Sequence, residues 1–187
     1  NLSGNFRASK VTALSKFSFY SYYTQRNNRV NVDSTWEEVK VFDYGFNSKN
    51  IVNIELQGLD YQKLSNELRD VSGVTTISAS DLIPSTGTNN GSQLRKAGSD
   101  DEFNQGGILI TDENFIDNLG IKLLAGKPLP PAGESSGRFI LVNEAAVKSL
   151  GYNFPAEIIG EVFETKWGNE LLEVVGVVKD FRYKLLL

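Results

Sequence analysis

Eight residues near the C-terminus, LLEVVGVV over 171–178, restrict the fold more than any other stretch. Apolar side chains occupy both alternating faces, so a strand here must be covered on both sides and belongs in the middle of a sheet. The residues before it prepare for such a strand. The run FILV at 139–142 is the length of a buried strand, although periodicity alone does not separate it from a helix segment. Asn143 is placed to accept from the N–H groups of a first helical turn, Glu144 puts negative charge at the positive helix end, and Gly151 suits a left-handed C-terminal position. These signals predict a helix over 144–150, with Val142 and Val147 as a hydrophobic staple and Ala145, Val147 and Leu150 facing inward. A helix so short takes its stability from the sheet it packs on. Pro155 then opens a brief helical turn through Ile158, Gly160 releases the chain into a strand over 162–167, and Gly168-Asn169 predicts a two-residue hairpin into 171–178.

Upstream, residues 1–31 are polar around an aromatic cluster, FSFYSYY at 17–23. Such a cluster can form a belt at a membrane or partner surface, or a helix or edge strand whose rings pack on the core; the second reading is the ordinary fate of aromatics and is preferred here. Trp36 and Phe42 are read the same way. Alternation predicts a strand over 51–56. Asp60 caps a helix whose Tyr61, Leu64, Leu68 and Val71 share one face, Gly73 ends it, and a second strand covers 74–79. Strand, helix and strand make a βαβ-type unit. Residues 82–103 are rich in Ser, Thr, Asn and Gly, with a turn signal at Asn90-Gly91, and read as a connection or hairpin between lobes. A strand is expected over 107–111, then a helix over 113–119 capped by Asp112, closed by Gly120 and facing inward through Phe115, Ile116 and Leu119. A short strand over 121–124 leads into an exposed, mobile Pro/Gly-rich loop at 126–137.

At 187 residues, 40% hydrophobic and 22% charged, the chain is long enough to bury a core and has the make-up of an ordinary globular protein. Its formal net charge of −4 and the lack of a Lys/Arg cluster argue against nucleic acid as a partner. It has no Cys and no His, which removes the usual zinc, copper and iron ligands and the commonest general base. Pattern matches to enzyme motifs fail on context. Gly133-Glu134-Ser135-Ser136-Gly137 fits Gly-x-Ser-x-Gly, yet it follows Pro130-Pro131, precedes a strand and has no His to take the serine proton. The acidic run Asp100, Asp101, Glu102 lacks the spacing of a calcium loop and reads as a solvated charge run. No Walker-type phosphate loop is present, so ATP use would come from another polypeptide. Gly151, Gly160 and Gly176 are read as backbone geometry or close packing, and Asp180 as a turn or cap residue. No catalytic, cofactor-binding or metal-ligating residue is assigned. No apolar run approaches the roughly 20 residues of a spanning helix. The absence of Met means that Asn1 is not a native initiator, and an excised domain is the expectation.

Three linked motifs, ILVNEAAVKSLG, EIIGEVF and LLEVVGVVKDFRY, resemble in sequence and order the closing segment of the MacB-like periplasmic core domain, found in permeases of MacB/FtsX-type ABC transporters. Further back, NIVNIEL, YQKLSNELRDVSGV, TTISAS with nearby Pro84, and ITDENFIDNLGIKLLAGKPL resemble earlier parts of the same domain, so that the likeness runs over 45–183. The resemblance implies an extracytoplasmic domain between two membrane helices of an inner-membrane permease, on the periplasmic side. It would pass motion from a cytoplasmic ABC ATPase to export or to a periplasmic adaptor or accessory protein. Members of this family serve efflux of peptides or drugs, lipoprotein movement or control of cell-wall enzymes, and the permease is expected to be dimeric. No catalysis and no cofactor are implied.

The expected fold is therefore α+β, two small lobes of mixed sheets covered by short helices, built on the βαβ unit plus a C-terminal β-α-β-β segment. Residues 1–48 are an N-terminal extension, 49–85 with 138–187 form a porter-like core lobe, and 86–137 are an inserted second lobe. A stand-alone secreted binding module is the main alternative, and a His-free hydrolase using Ser135 a more distant one.

Overall fold

The computed structural model describes residues 5–9, 18–21, 44–84, 90–131, 138–166 and 170–182, the first two segments as backbone only. The fold is α+β, with short helices on two sheets. The smaller sheet has three parallel strands in the order β3 (Ile51–Glu55), β1 (Asn5–Ser9), β4 (Ile77–Ser80). Helix α1 (Tyr61–Arg69) connects β3 to β4, as the βαβ reading expects, but β1 lies between the two strands instead of their pairing directly.

α1 begins where Asp60 Oδ1 accepts from the N–H of Lys63 at 3.0 Å. Its apolar face is only partly covered: Tyr61, Leu64 and Leu68 are half-buried, Val71 is exposed, and the one buried residue is Ser65.

The larger sheet has seven strands in the order β7-β10-β8-β2-β6-β5-β9, and β9 also pairs with β10. These are β2 (Ser18–Ser21), β5 (Asn90–Lys96), β6 (Asn104–Ile110), β7 (Leu123–Gly126), β8 (Phe139–Asn143), β9 (Val162–Thr165) and β10 (Leu171–Val178). The extra pairing closes six strands into a ring, with β7 alongside β10 beyond the end of β9. β10 thus has neighbours on both edges, the place its sequence demands. Strands from 86–137 and from 138–187 share this sheet, and β1 and β2, from within 1–48, each have a partner on both sides.

The register of β10 against β8 slips between Val174 and Gly176, leaving Val175 unopposed as a bulge. The bulge switches the alternation. Leu172, Val174 and Val177 join Leu94, Ile140, Val142 and Phe163 in one core, while Val175 and Val178 join Leu109, Leu141 and Phe115 in the other. An apolar run on both faces is what lets a strand absorb such a slip. At the bulge β7 comes so close that a Cβ on Gly176 would meet Leu141 Cδ2 at 2.8 Å and the carbonyl of Lys127. One on Gly126, at φ +74°, would meet Gly176 Cα at 2.9 Å and the carbonyl of Val175.

Helix α2 (Phe115–Asn118) buries Phe115 and Ile116, followed by buried Leu119, as expected. Helix α3 (Glu144–Ser149) is capped by Asn143, whose Oδ1 accepts from Ala146 N–H at 3.0 Å, and is followed by Gly151 at φ +88°. A second cap comes from outside: Asp180 Oδ1 accepts from Ala145 N–H at 2.9 Å, and Glu144 accepts in return from Asp180 N–H at 3.2 Å. A 3-10 turn over Pro155–Ile158 follows, with Ile158 fully buried.

Several expectations are corrected. Asn90 and Gly91 lie inside β5, paired with Ile108 and Gly107, and the β5–β6 turn falls after Lys96. The preference of Asn-Gly for a turn gives way to cross-strand pairing, which places glycine opposite glycine. On α3 the buried alanine is Ala146, not Ala145, because a helix of six residues is too short for its period to choose between neighbours. β4 starts at Ile77 instead of Val74, and β7 at Leu123 instead of Ile121, a buried residue preceding it. In the loop after β7, Lys127 and Pro128 are exposed, but Leu129 is buried against Phe115 and Val175. The Gly168-Asn169 hairpin lies outside the described residues, though β9 and β10 are antiparallel as it requires.

Candidate functional site

Among the described residues the two sheets meet at an antiparallel bridge, Ser80 opposite Thr111, at the ends of β4 and β6. Four hydrogen bonds surround it. Two are ordinary: Asp81 N–H donates to the Ile110 carbonyl at 2.9 Å, and Asp112 N–H to the Ala79 carbonyl at 3.0 Å. The other two would complete a ladder, but a side chain stands in for each carbonyl. Ile110 N–H donates to Asp81 Oδ1 and Ala79 N–H to Asp112 Oδ2, both at 2.9 Å. Each aspartate thus reaches across the bridge to the amide of the residue opposite, giving the junction an approximate two-fold pattern.

Asp112 also binds the helix above. Tyr61 of α1 donates its hydroxyl to Asp112 Oδ2 at 2.8 Å, so one carboxylate joins α1, β4 and the segment after β6. This corrects the expectation that Asp112 caps α2; the residue at that helix start is Asn114, without a side-chain cap bond, although an Asn114 backbone contact does favour ionised Asp112. Asp81 Oδ2 accepts from Asn90 Nδ2 at 2.8 Å, and Ser80 donates to the Leu82 carbonyl at 2.7 Å. One step away, Asn118 of α2 donates to Ser78 Oγ at 2.8 Å, with both residues buried.

Burial dominates the electrostatics. Desolvation pushes Asp112 up to about 7, against the opposing pull of the Tyr61 and Ala79 hydrogen bonds, and Glu113 adds a smaller upward push. Tyr61 is raised by burial and then by the Asp112 charge. Burial also raises Asp81, with the Ile110 and Asn90 bonds opposing. Among the described residues no Lys or Arg forms an ion pair with either aspartate. Asp112 Oδ1 is buried without a hydrogen-bond partner.

Beside the seam is a cavity of about 290 Å³, lined by Tyr44, Phe46, Ile51, Ile83, Pro84 and Leu119 among others. Its wall is set by a clasp between distant segments. Arg182 N–H donates to the Tyr44 carbonyl at 2.8 Å, and Phe46 meets Phe181 edge-on at 6.3 Å.

Seam and cavity can position, accept and hold. Among the described residues no group of three His, Cys, Asp or Glu side chains could hold a metal ion. Ser135 and its Gly-x-Ser-x-Gly motif, like the aromatic cluster at 17–23 beyond the backbone of β2, lie outside the described residues. Asp100, Asp101 and Glu102 are exposed, as a solvated run should be. Asp180 is the cap residue the sequence suggests. Sequence reasoning misses the seam: Asp81 carries no signal, Tyr61 reads only as apolar, and Asp112 only as a cap.

No protein-family model matches the chain, and no curated protein does. Among the described helices none is long and apolar enough to cross a membrane. In solved structures, the chain is similar to the periplasmic region of MacB from Actinobacillus actinomycetemcomitans, at 21% identity and a TM-score of 0.45, over 66% of this chain and 52% of that one. It is also similar to a domain assigned to a permease protein from Porphyromonas gingivalis, at 17% identity and a TM-score of 0.33, over 51% of this chain and 45% of that one. The chain thus spans about half the length of these two structures.

Proposed function

We propose that this chain is an extracytoplasmic domain of a MacB/FtsX-type ABC-transporter permease, relaying motion driven by a cytoplasmic ATPase to export or to an accessory protein. The observation that carries the reading is the ordered run of three motifs over 140–183. They run through β8, α3, the 3-10 turn, β9 and β10, and their side chains make up most of the core on one face of the larger sheet and part of the core on the other. A relay needs a stiff body, and close packing on both faces gives a sheet that stiffness. The double cap on α3 and the clasp of 180–182 against 44–46 tie the end of the segment back to the body.

The test is the parent gene and its product. The expected result is an apolar span of about 20 residues on each side of this segment, and a solubilised product that copurifies with an ABC ATPase. A reading frame with a signal peptide and no span would overturn the proposal in favour of a secreted binding module.

A further inference from the structure

The seam holds a carboxylate with one oxygen fully engaged and the other unused. Asp112 Oδ2 accepts from Ala79 N–H and from Tyr61, whereas Oδ1 is buried with no hydrogen-bond partner, and the pull of the Asn114 backbone toward the ionised form is outweighed by burial. The described ionisable groups facing it are the Tyr61 hydroxyl from α1 and the neighbouring Glu113, neither of which supplies positive charge. Across the bridge, Asp81 faces the Ile110 amide and the Asn90 amide group.

We propose that the junction between the two sheets is a proton-operated latch, tightened when Asp112 takes up a proton on Oδ1 and loosened when it releases it. The geometry makes the two states unequal. A proton on Oδ1 leaves both bonds at Oδ2 in place, because the carbonyl oxygen of a neutral acid still accepts, and it removes a charge buried without a counter-ion. Loss of the proton restores that charge at the bridge holding β4 to β6, and opening the bridge to water relieves it.

The sign follows from linkage. Burial raises Asp112 from its ordinary 3.8 to about 7 in the folded protein, so the closed junction binds the proton more tightly than the opened one. Stabilisation by this proton is complete only below the ordinary value of 3.8, falls as pH rises above it, and is exhausted once pH has passed through about 7. Asp81, raised by the same cause, acts in the same direction.

This inference concerns the folded chain alone and is tested without any transporter. Hydrogen exchange at the Ala79 amide, corrected for intrinsic rate, reports opening of the latch, and carbon-13 NMR of the Asp112 carboxyl reports its proton. The expected result is an Ala79 opening constant about tenfold smaller at pH 6 than at pH 8, with the carboxyl titrating between these values. In Asp112→Asn, which keeps an acceptor for Ala79 and Tyr61, that difference should shrink to less than about twofold. An Asp112 carboxyl titrating as an ordinary carboxylate, or equal Ala79 opening at both pH values in the native protein, would overturn the proposal. Both measurements use the native chain, so they decide the matter even where the variant does not fold.

Discussion

Gly126 and Gly176 face each other across the β7–β10 pair, and neither has room for a methyl group. Replacing Gly176 by Ala forces the Lys127 carbonyl and Leu141 apart and should cost about 1–3 kcal/mol by overpacking. Gly126→Ala adds backbone strain at φ +74° to a similar clash and should cost more. Urea denaturation midpoints measure both, and a variant as stable as the native protein would show that β7 can retreat. At this scale, what is legible in the sequence is local. Asn143 is readable because its partner, Ala146, is three positions away. Asp112 is not, because its partners Ala79 and Tyr61 are 33 and 51 positions away, and a lone Asp before an apolar stretch looks the same whether it caps a helix or ties two sheets together.

Among the elements, α3 shows most clearly how short helices are held. Its six residues cannot sustain a helix in water, and its first turn is fastened twice, by Asn143 from within and by Asp180 from beyond β10. Asn143→Ala should destabilise the protein by about 1 kcal/mol, and Asp180→Ala by a similar amount. Because both serve adjacent amides of one turn, the two losses should not add. A double-mutant cycle should give a coupling above about 0.5 kcal/mol, and strict additivity would mean that the caps act independently. The elements of the C-terminal half are legible because each carries its own stop and start signals. The partners of β1 and β2 are not, since polar and aromatic residues mark neither an edge nor a centre, and only long-range pairing decides between them.

For the molecule as a whole, the closed ring distributes stability unevenly. β8 and β10 pair in parallel along five positions and send side chains into both cores, whereas the β5–β6 hairpin has half-exposed positions at Ser92, Gln93 and Arg95. Hydrogen exchange should therefore be slowest at the amides of 140–142 and 174–178, by about an order of magnitude or more relative to 91–93. Greater protection in the hairpin would move the stable centre of the fold away from β10. The α+β class is readable from sequence, but ring closure is not, because it depends on β9 meeting both β5 and β10.

β10 follows every other described strand in the chain, yet it pairs with three of them. During synthesis the earlier strands therefore emerge with a vacancy at their centre. The ring closes only when residues 171–178 have emerged, so a ribosome paused before that point would display an unfinished, adhesive surface to chaperones and proteases.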